Sequence, residues 1–197
     1  MSAALALWGA HTNLTADASD QAEIAFHTID SLAPIAFAAG NGRESLDAVL
    51  GADGSVLDLG SGGGFPGLVL AAAFEARFTL AEARRKRASY LQVAAQEMDL
   101  TNVAVQRRRA SSRTIADGFD LVTARAFGAS AELFEIAAAA LGPGGLLLLY
   151  ASADQAGDSD APASRFFGDR IEWTYLMPHG ERVAKRIAML WRRKADL

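Results

Sequence analysis

Residues 58 to 67 read DLGSGGGFPG, with glycine at positions 60, 62, 63, 64 and 67. A chain removes side chains from a loop either to turn through left-handed backbone or to let something approach the backbone closely. The flanks decide where this loop sits. SVLDLG (55 to 60) is a short apolar run that reads as a buried strand, and FPGLVLAAAFEA (65 to 76) reads as a helix. Pro66 falls near the first turn of that helix, where a missing N–H costs little. Strand, glycine loop and helix in that order place the loop at the carboxyl edge of a parallel sheet, where open α/β folds bind ligands.

Two nucleotide-cofactor readings fit the loop. GGGFPG (62 to 67) matches G-x-G-x-x-G, the dinucleotide pattern, which alone is weak in a chain rich in alanine and glycine. DLGSGGG (58 to 64) matches acid-x-Gly-x-Gly-x-Gly, the spacing expected around S-adenosylmethionine. On that reading Gly60, Gly62 and Gly64 admit the methionine portion, and Asp58 faces its ammonium group directly or through water. Phe65 before Pro66 narrows the turn and sets an apolar wall near a sulfonium, whereas a pyrophosphate favours open N–H groups. The methyl donor is therefore the expected ligand; a dinucleotide, a purely structural turn and a core role for Phe65 are the alternatives.

Outward from the loop, strands alternate with helical patterns. RFTLAE (77 to 82) is a strand ending on Glu82, and ARRKRASYLQVAAQEMDL (83 to 100) is a helix. NVAVQ, FDLVTARA, SAELFEIAAAAL and LLLLY follow as strand, strand, helix and strand, with GPGG (142 to 145) as a turn. A polar stretch, SADQAGDSDAPAS, precedes two further strands, RIEWTYL and AKRIAMLW. The pattern predicts an α/β chain with a Rossmann-like, mostly parallel seven-stranded sheet, helices on both faces and the last strand antiparallel. Residues 1–50 read as a small helical N-terminal cap and 51–197 as the core of a single domain. Glu82, at the carboxyl end of the second strand, is placed to accept hydrogen bonds from both ribose hydroxyls of either cofactor; a surface carboxylate paired with Arg84 or Arg85 is the plainer reading.

Composition bounds the chemistry. The 197 residues carry a net charge of −4, mean hydropathy of +0.12 and no cysteine. Thiolate metal sites and every mechanism with a cysteine nucleophile are thereby excluded, and no metal site is expected. No apolar run approaches the roughly 18 to 20 residues of a membrane span, and the N-terminus lacks a basic, then long apolar, leader, so a cytoplasmic protein without membrane contact is expected. Charge is uneven: Arg43 is the only Lys or Arg in residues 1–58, whereas Arg84, Arg85, Lys86, Arg87, Arg107, Arg108, Arg109 and Arg113 crowd residues 84–113. The stretch from Arg182 to Lys194 is basic again. These segments are candidates for a polyanion-binding face or for ordinary solvated surface.

Without cysteine, covalent attack on a pyrimidine is unavailable, and no Asn/Asp-Pro-Pro-aromatic loop is present to grip an exocyclic amine. A target that is already nucleophilic suits such a chain, and N7 of guanine attacks without a general base, leaving alignment and charge environment as the enzyme's task.

The order NLTA (13 to 16), HTIDSL (27 to 32), DLGSGGGFPG, LAEARRKRASYL (80 to 91), FDLVTARA, LGPGGLLLLY and LMPHGERVAKRIAMLWRRK resembles the RsmG (GidB) family over nearly the whole chain. The resemblance implies an S-adenosylmethionine-dependent enzyme that methylates a guanine N7 in 16S rRNA, with that rRNA or the small ribosomal subunit as partner. It implies cofactor contacts at Gly60, Phe65, Ala110, Ser111 and Arg125, and a motif at His27, Asp30 and Ser31 that packs over the cofactor mouth. Helical spacing lets His27 share a face with Asp30 or Ser31, although both could equally brace a helix junction. Arg84, Arg85, Lys86 and Arg87, Arg107 to Arg109 and the C-terminal basic residues are the candidates for RNA phosphates. The chain departs from the family at Ser111, where an acid is common, in the short segment before NLTA, and at YAS after the fifth strand. A diverged methyltransferase for a small molecule or another RNA, and a non-catalytic cofactor-binding protein, are the alternatives.

Overall fold

A computed structural model describes residues 20–115, 118–125, 129–152, 160–179 and 182–195. NLTA, Ala126, most of the acidic stretch after β5 and residues 180–181 lie outside them. In chain order the elements are α1 (Gln21–Phe37), α2 (Gly40–Leu50), β1 (Ser55–Leu59), α3 (Gly67–Ala73), β2 (Arg77–Ala81), α4 (Arg85–Glu97), β3 (Val103–Gln106), β4 (Phe119–Arg125), α5 (Ala131–Ala140), β5 (Leu141–Ser152), α6 (Asp160–Ala163), β6 (Phe167–His179) and β7 (Arg182–Arg193). The seven strands form one sheet in the order β3-β2-β1-β4-β5-β7-β6. β3 through β5 run parallel, and β7 pairs antiparallel with both β5 and β6. This is the Rossmann-like architecture that the succession of strands and helices predicts.

Both faces of the sheet are covered, so its strands are apolar on both sides. On β5, Leu146, Leu148 and Tyr150 join a core with residues of α1, α2, α3 and α4, while Leu147, Leu149 and Ala151 join a second core with α5, Phe167 and Trp191. Asp58 and Thr123 are register partners in the middle of the sheet and are both buried. The order reverses between β1 and β4, which opens the edge crevice beside the glycine loop.

Several boundaries differ from the sequence reading, and two have a plain physical cause. α3 ends at Ala73 rather than running to residue 76, and Asn102 supplies the reason. Its Nδ2 shares its two N–H groups among the carbonyls of Ala71, Phe74 and Ala76 at 3.0 to 3.1 Å, taking the Ala71 acceptor that a helix to residue 76 would use and satisfying two carbonyls past its end. Pro66 is the N-cap residue of α3, beside the first turn where the sequence reading has it. GPGG is not a free turn but the start of β5: between Phe119↔Leu141 and Leu121↔Leu146 the pairing advances two residues on β4 and five on β5. Gly144 at φ 74° and Gly145, where a Cβ would lie 3.0 Å from the Phe119 carbonyl, let the strand absorb that slip.

Replacing Asn102 with Ala strands these carbonyls, and a chemical denaturation midpoint should report a loss of about 1–3 kcal/mol with an unchanged slope. A loss below about 0.5 kcal/mol would show that the bonds do not hold the turn.

Candidate active site

The glycine loop leaves β1 and doubles back against β2. Gly60 and Ser61 donate their N–H groups to the Ala81 carbonyl at 2.9 and 3.2 Å, and Gly64 donates to the Ser61 carbonyl at 2.7 Å. Gly60, Gly62 and Gly64 all hold positive φ, at 71°, 51° and 88°, conformations that cost an L-residue with a side chain roughly 1–2 kcal/mol each. Their surroundings differ. A Cβ on Gly62 would meet the Gly60 carbonyl oxygen at 3.6 Å and Arg87 Nη1 at 3.8 Å, ordinary contact distances, so that position is uncrowded. A Cβ on Gly64 would lie 2.5 Å from Leu68 Cδ1, so the missing side chain there serves the packing of α3.

Gly67, which the sequence reading did not single out, is the tightest of the group. A Cβ there would meet Leu80 Cδ2 at 2.4 Å and Asp58 Oδ2 at 2.6 Å. The loop's glycines thus divide between a backbone left uncrowded, at Gly62, and a helix start pressed against β1 and β2.

Glu82 clamps the uncrowded part. Its Oε2 accepts the Gly62 N–H at 3.1 Å, its Oε1 accepts the Arg84 N–H at 2.7 Å, and the side chain is nearly buried. The carboxylate is therefore not a surface partner for an arginine side chain but a brace between two loops, and its remaining lone pairs stay available to a ligand. Asp58 sits beneath the loop. Its Oδ1 accepts from Thr123 Oγ1 at 2.8 Å, whereas Oδ2 has no hydrogen-bond partner among the described residues, the Gly67 amide facing the carboxylate without completing that bond. Burial pushes the Asp58 carboxyl upward, opposed by Ser61, Thr123 and the Gly67 amide.

A second group closes over the loop from α1. Asp30 is fully buried and accepts from Arg186 Nε and Nη2 at 3.0 and 2.9 Å and from the Tyr175 hydroxyl at 2.9 Å. Arg125, at the end of β4, lies with Nη1 3.5 Å from Asp30 Oδ2, an ion-pair distance at which Nη1 completes no hydrogen bond among the described residues. Its Nη2 donates to His27 Nδ1, and its guanidinium stands 5.8 Å from the centre of the Phe65 ring. The His27 ring is tilted on Phe65 at 5.3 Å between centroids.

Burial first, and then the Arg125 charge, lower the His27 pKa to about 4, so the imidazole is neutral, with Nδ1 accepting from Arg125 and Nε2–H turned toward Glu23 Oε2 at 3.5 Å. Burial also lowers the Arg125 pKa, while Asp30 opposes that shift. Glu23 accepts from His179 Nε2 at 2.8 Å as well, and the His179 ring stacks on Phe26.

The structure thus brings His27, Phe65 and Arg125 together above the loop but assigns two predicted members to bracing. Asp30 is occupied by Arg186 and Tyr175, and Ser31 Oγ donates to the His27 carbonyl within its own helix at 2.7 Å, while the Ser31 carbonyl accepts from Tyr150. Thr123, Tyr150, Tyr175 and Arg186 escaped the sequence reading because nothing local marks them; only a polar residue in an apolar strand hints at a buried partner. Ala110 and Ser111 follow β3 in a loop closed by Ser111 Oγ and Thr114 Oγ1 at 2.7 Å, beside a hollow of about 340 Å³ that Ser111 lines with Glu132 and Glu135 of α5. Arg84, Arg85 and Lys86 are exposed at the start of α4, with Arg87 half-buried behind them. Among the described residues no group of His, Asp and Glu could hold a metal ion, and no helix is long and apolar enough to cross a membrane.

The model of the GidB family, described as rRNA small subunit methyltransferase G, matches residues 2–172. The chain belongs to that family. A protein of Coxiella burnetii named ribosomal RNA small subunit methyltransferase G is 34% identical over 72% of this chain and 64% of its own length. One of the same name from Stenotrophomonas maltophilia is 35% identical over 72% of this chain and 61% of its own. The chain therefore spans somewhat under two thirds of these curated relatives. Among solved structures, the tRNA (m1A58) methyltransferase TrmI of Aquifex aeolicus aligns with a TM-score of 0.60 at 16% identity, covering 76% of this chain and 66% of that one. A SAM-dependent O-methyltransferase of Thermotoga maritima aligns with 0.57 at 14% identity, covering 85% and 71%. These two likenesses establish the fold.

The depressed His27 pKa has a stability consequence with a definite sign. The folded value lies below the unfolded value of about 6.5, so the unfolded chain binds the proton more readily and stability falls as pH drops from about 6.5 toward 4. Urea unfolding of the wild type should lose about 2 kcal/mol more between pH 7 and pH 5 than a His27→Gln variant. Equal pH slopes in the two proteins would contradict a neutral, buried His27.

Proposed function

We propose that this chain transfers the methyl group of S-adenosylmethionine to N7 of a guanine in the 16S rRNA of the small ribosomal subunit. The observation that carries the reading is the Glu82 clamp on a left-handed, uncrowded Gly62, at the sheet edge where the strand order reverses. Family membership supplies the substrate class.

The residues present fit the donor. When bound, S-adenosylmethionine supplies a methyl carbon on a positively charged sulfur. Gly60 to Gly64 present backbone to its methionine portion, and the unused lone pairs of Glu82 accept the ribose hydroxyls. Ala110 and Ser111 bound the adenine side, with a serine hydroxyl in place of the acid common in the family. Asp58 acts from below the loop: with one oxygen unpaired and the side chain buried, it meets the ammonium group through water rather than face to face. Phe65 walls the sulfonium side, with the Arg125 guanidinium held 5.8 Å from its ring centre and Nη1 turned to Asp30.

No general base is assigned, because N7 of guanine holds an unprotonated lone pair near neutral pH. The neutral His27 suits that chemistry: it fills the mouth without adding positive charge where charge moves from sulfur to purine. Catalysis then rests on alignment of the two reactants. The acting protein is read as a cytoplasmic one, with rRNA or the small subunit as its partner.

Purified protein, labelled donor and either naked 16S rRNA or small subunits should yield N7-methylguanosine in the RNA. Gly60→Val, which forces a β-branched residue to φ 71°, should lower transfer at least 100-fold while cooperative unfolding persists. Label entering small molecules but never rRNA, or full transfer by the folded variant, would overturn the reading.

A further inference from the structure

The basic segments of this chain do not form one surface. β2 and β3 are parallel neighbours whose last register pair is Ala81↔Gln106, and Glu82 N–H donates to the Gln106 carbonyl at 3.1 Å just beyond it. The chain therefore leaves both strands side by side at one edge, into Arg84, Arg85 and Lys86 on one path and Arg107, Arg108 and Arg109 on the other, all exposed. β7 runs the opposite way. Its Arg186 pairs with Ser152 near the end of β5, whereas Arg192 pairs with Leu146 near the start, so Arg192 and Lys194 stand at the far edge of the sheet.

Three features give the first corner its character. The first turn of α4 carries Arg85, Lys86 and Arg87 and no acidic residue, so its cations face the positive end of the helix dipole, an arrangement that an anion relieves. Glu82, the nearest carboxylate in sequence, is nearly buried and holds backbone N–H groups. The 107–114 loop is fixed on itself, with Arg108 donating to the Thr114 carbonyl and Thr114 Oγ1 to the Arg109 carbonyl. The acids that bound the corner, Glu132 and Glu135, lie beyond Arg113 on α5.

Resting on the reading of the chain as an rRNA methyltransferase, we infer that the corner of Arg84, Arg85, Lys86, Arg107, Arg109 and Arg113 is where the RNA sugar–phosphate backbone lies, and that Arg192 and Lys194 are outside its path. The backbone then crosses the ends of β2 and β3 and delivers the target base to the loop between β1 and β2 from that side. Contacts of this kind orient without reading sequence.

The test is fluorescence anisotropy of a labelled 16S rRNA fragment with the full chain, over about 50 to 200 mM salt. The combined variant Arg85→Gln, Lys86→Gln, Arg107→Gln, Arg109→Gln should flatten the slope of log affinity against log salt by about three, and the matched lysine substitutions at the three arginines should restore it. Lys194→Gln should superimpose on the wild type. A slope unchanged within about one in the combined variant, or an equal loss in Lys194→Gln, overturns the assignment. Titration of the same proteins with S-adenosylmethionine separates the two readings: a wild type that binds RNA through this corner but not the donor contradicts the proposed chemistry and leaves the surface standing.

Discussion

A single carboxylate holds the edge of the sheet open. Glu82 accepts one N–H from the glycine loop after β1 and one from the start of α4, so the two loops that frame the crevice share one anion. Hydrogen bonds to a charged acceptor contribute about 1.5–3 kcal/mol each, and nearly complete burial protects them from water. The arrangement exists because β1 and β2 are parallel neighbours in register from Ser55↔Arg77 to Leu59↔Ala81, which ends both strands together. Gly62 can reach Glu82 only through left-handed backbone, and Gly67 can press α3 onto Asp58 and Leu80 only without a Cβ. The loop's glycines thus serve left-handed backbone at Gly60, Gly62 and Gly64 and close helix packing at Gly64 and Gly67.

The cap helix is held by a different kind of force. Asp30 has no contact with solvent, and a buried carboxylate is tolerable only when paired and hydrogen-bonded. Arg186 from β7, Arg125 from β4 and the hydroxyl of Tyr175 from β6 meet that need, tying α1 to three strands. Removing one partner from such a group costs about 3–5 kcal/mol, far more than an exposed pair such as Arg43 and Asp47 contributes. The tie also shapes the candidate site. It fixes His27 on Phe65 and Arg125 above the loop, and the arginine charge that helps anchor α1 also helps keep His27 neutral.

The succession of strands and helices, the glycine loop and the position of Glu82 were legible because their signals are local: an apolar run, a glycine cluster and an acid at a strand end. The role of Asp30 was not. Its bracing partner Arg186 lies 156 residues away, and Thr123, which bonds Asp58, lies 65 residues from it. Ser31 was ambiguous for the same reason, and its bond to the His27 carbonyl makes it part of the helix. The end of α3 was missed because Asn102 acts on it across β2. GPGG has the composition of a turn, and only its pairing with β4 shows it as an irregular strand start. Charge runs in sequence say how many cations there are; topology says which share an edge.

The account stands on the crevice beside Glu82 being a methyl-donor site. Isothermal titration of one folded preparation with S-adenosylmethionine and, separately, with NAD tests it most directly. The account predicts saturable binding of S-adenosylmethionine and none of NAD. Binding of NAD alone, or of neither by a protein that unfolds cooperatively, would contradict it.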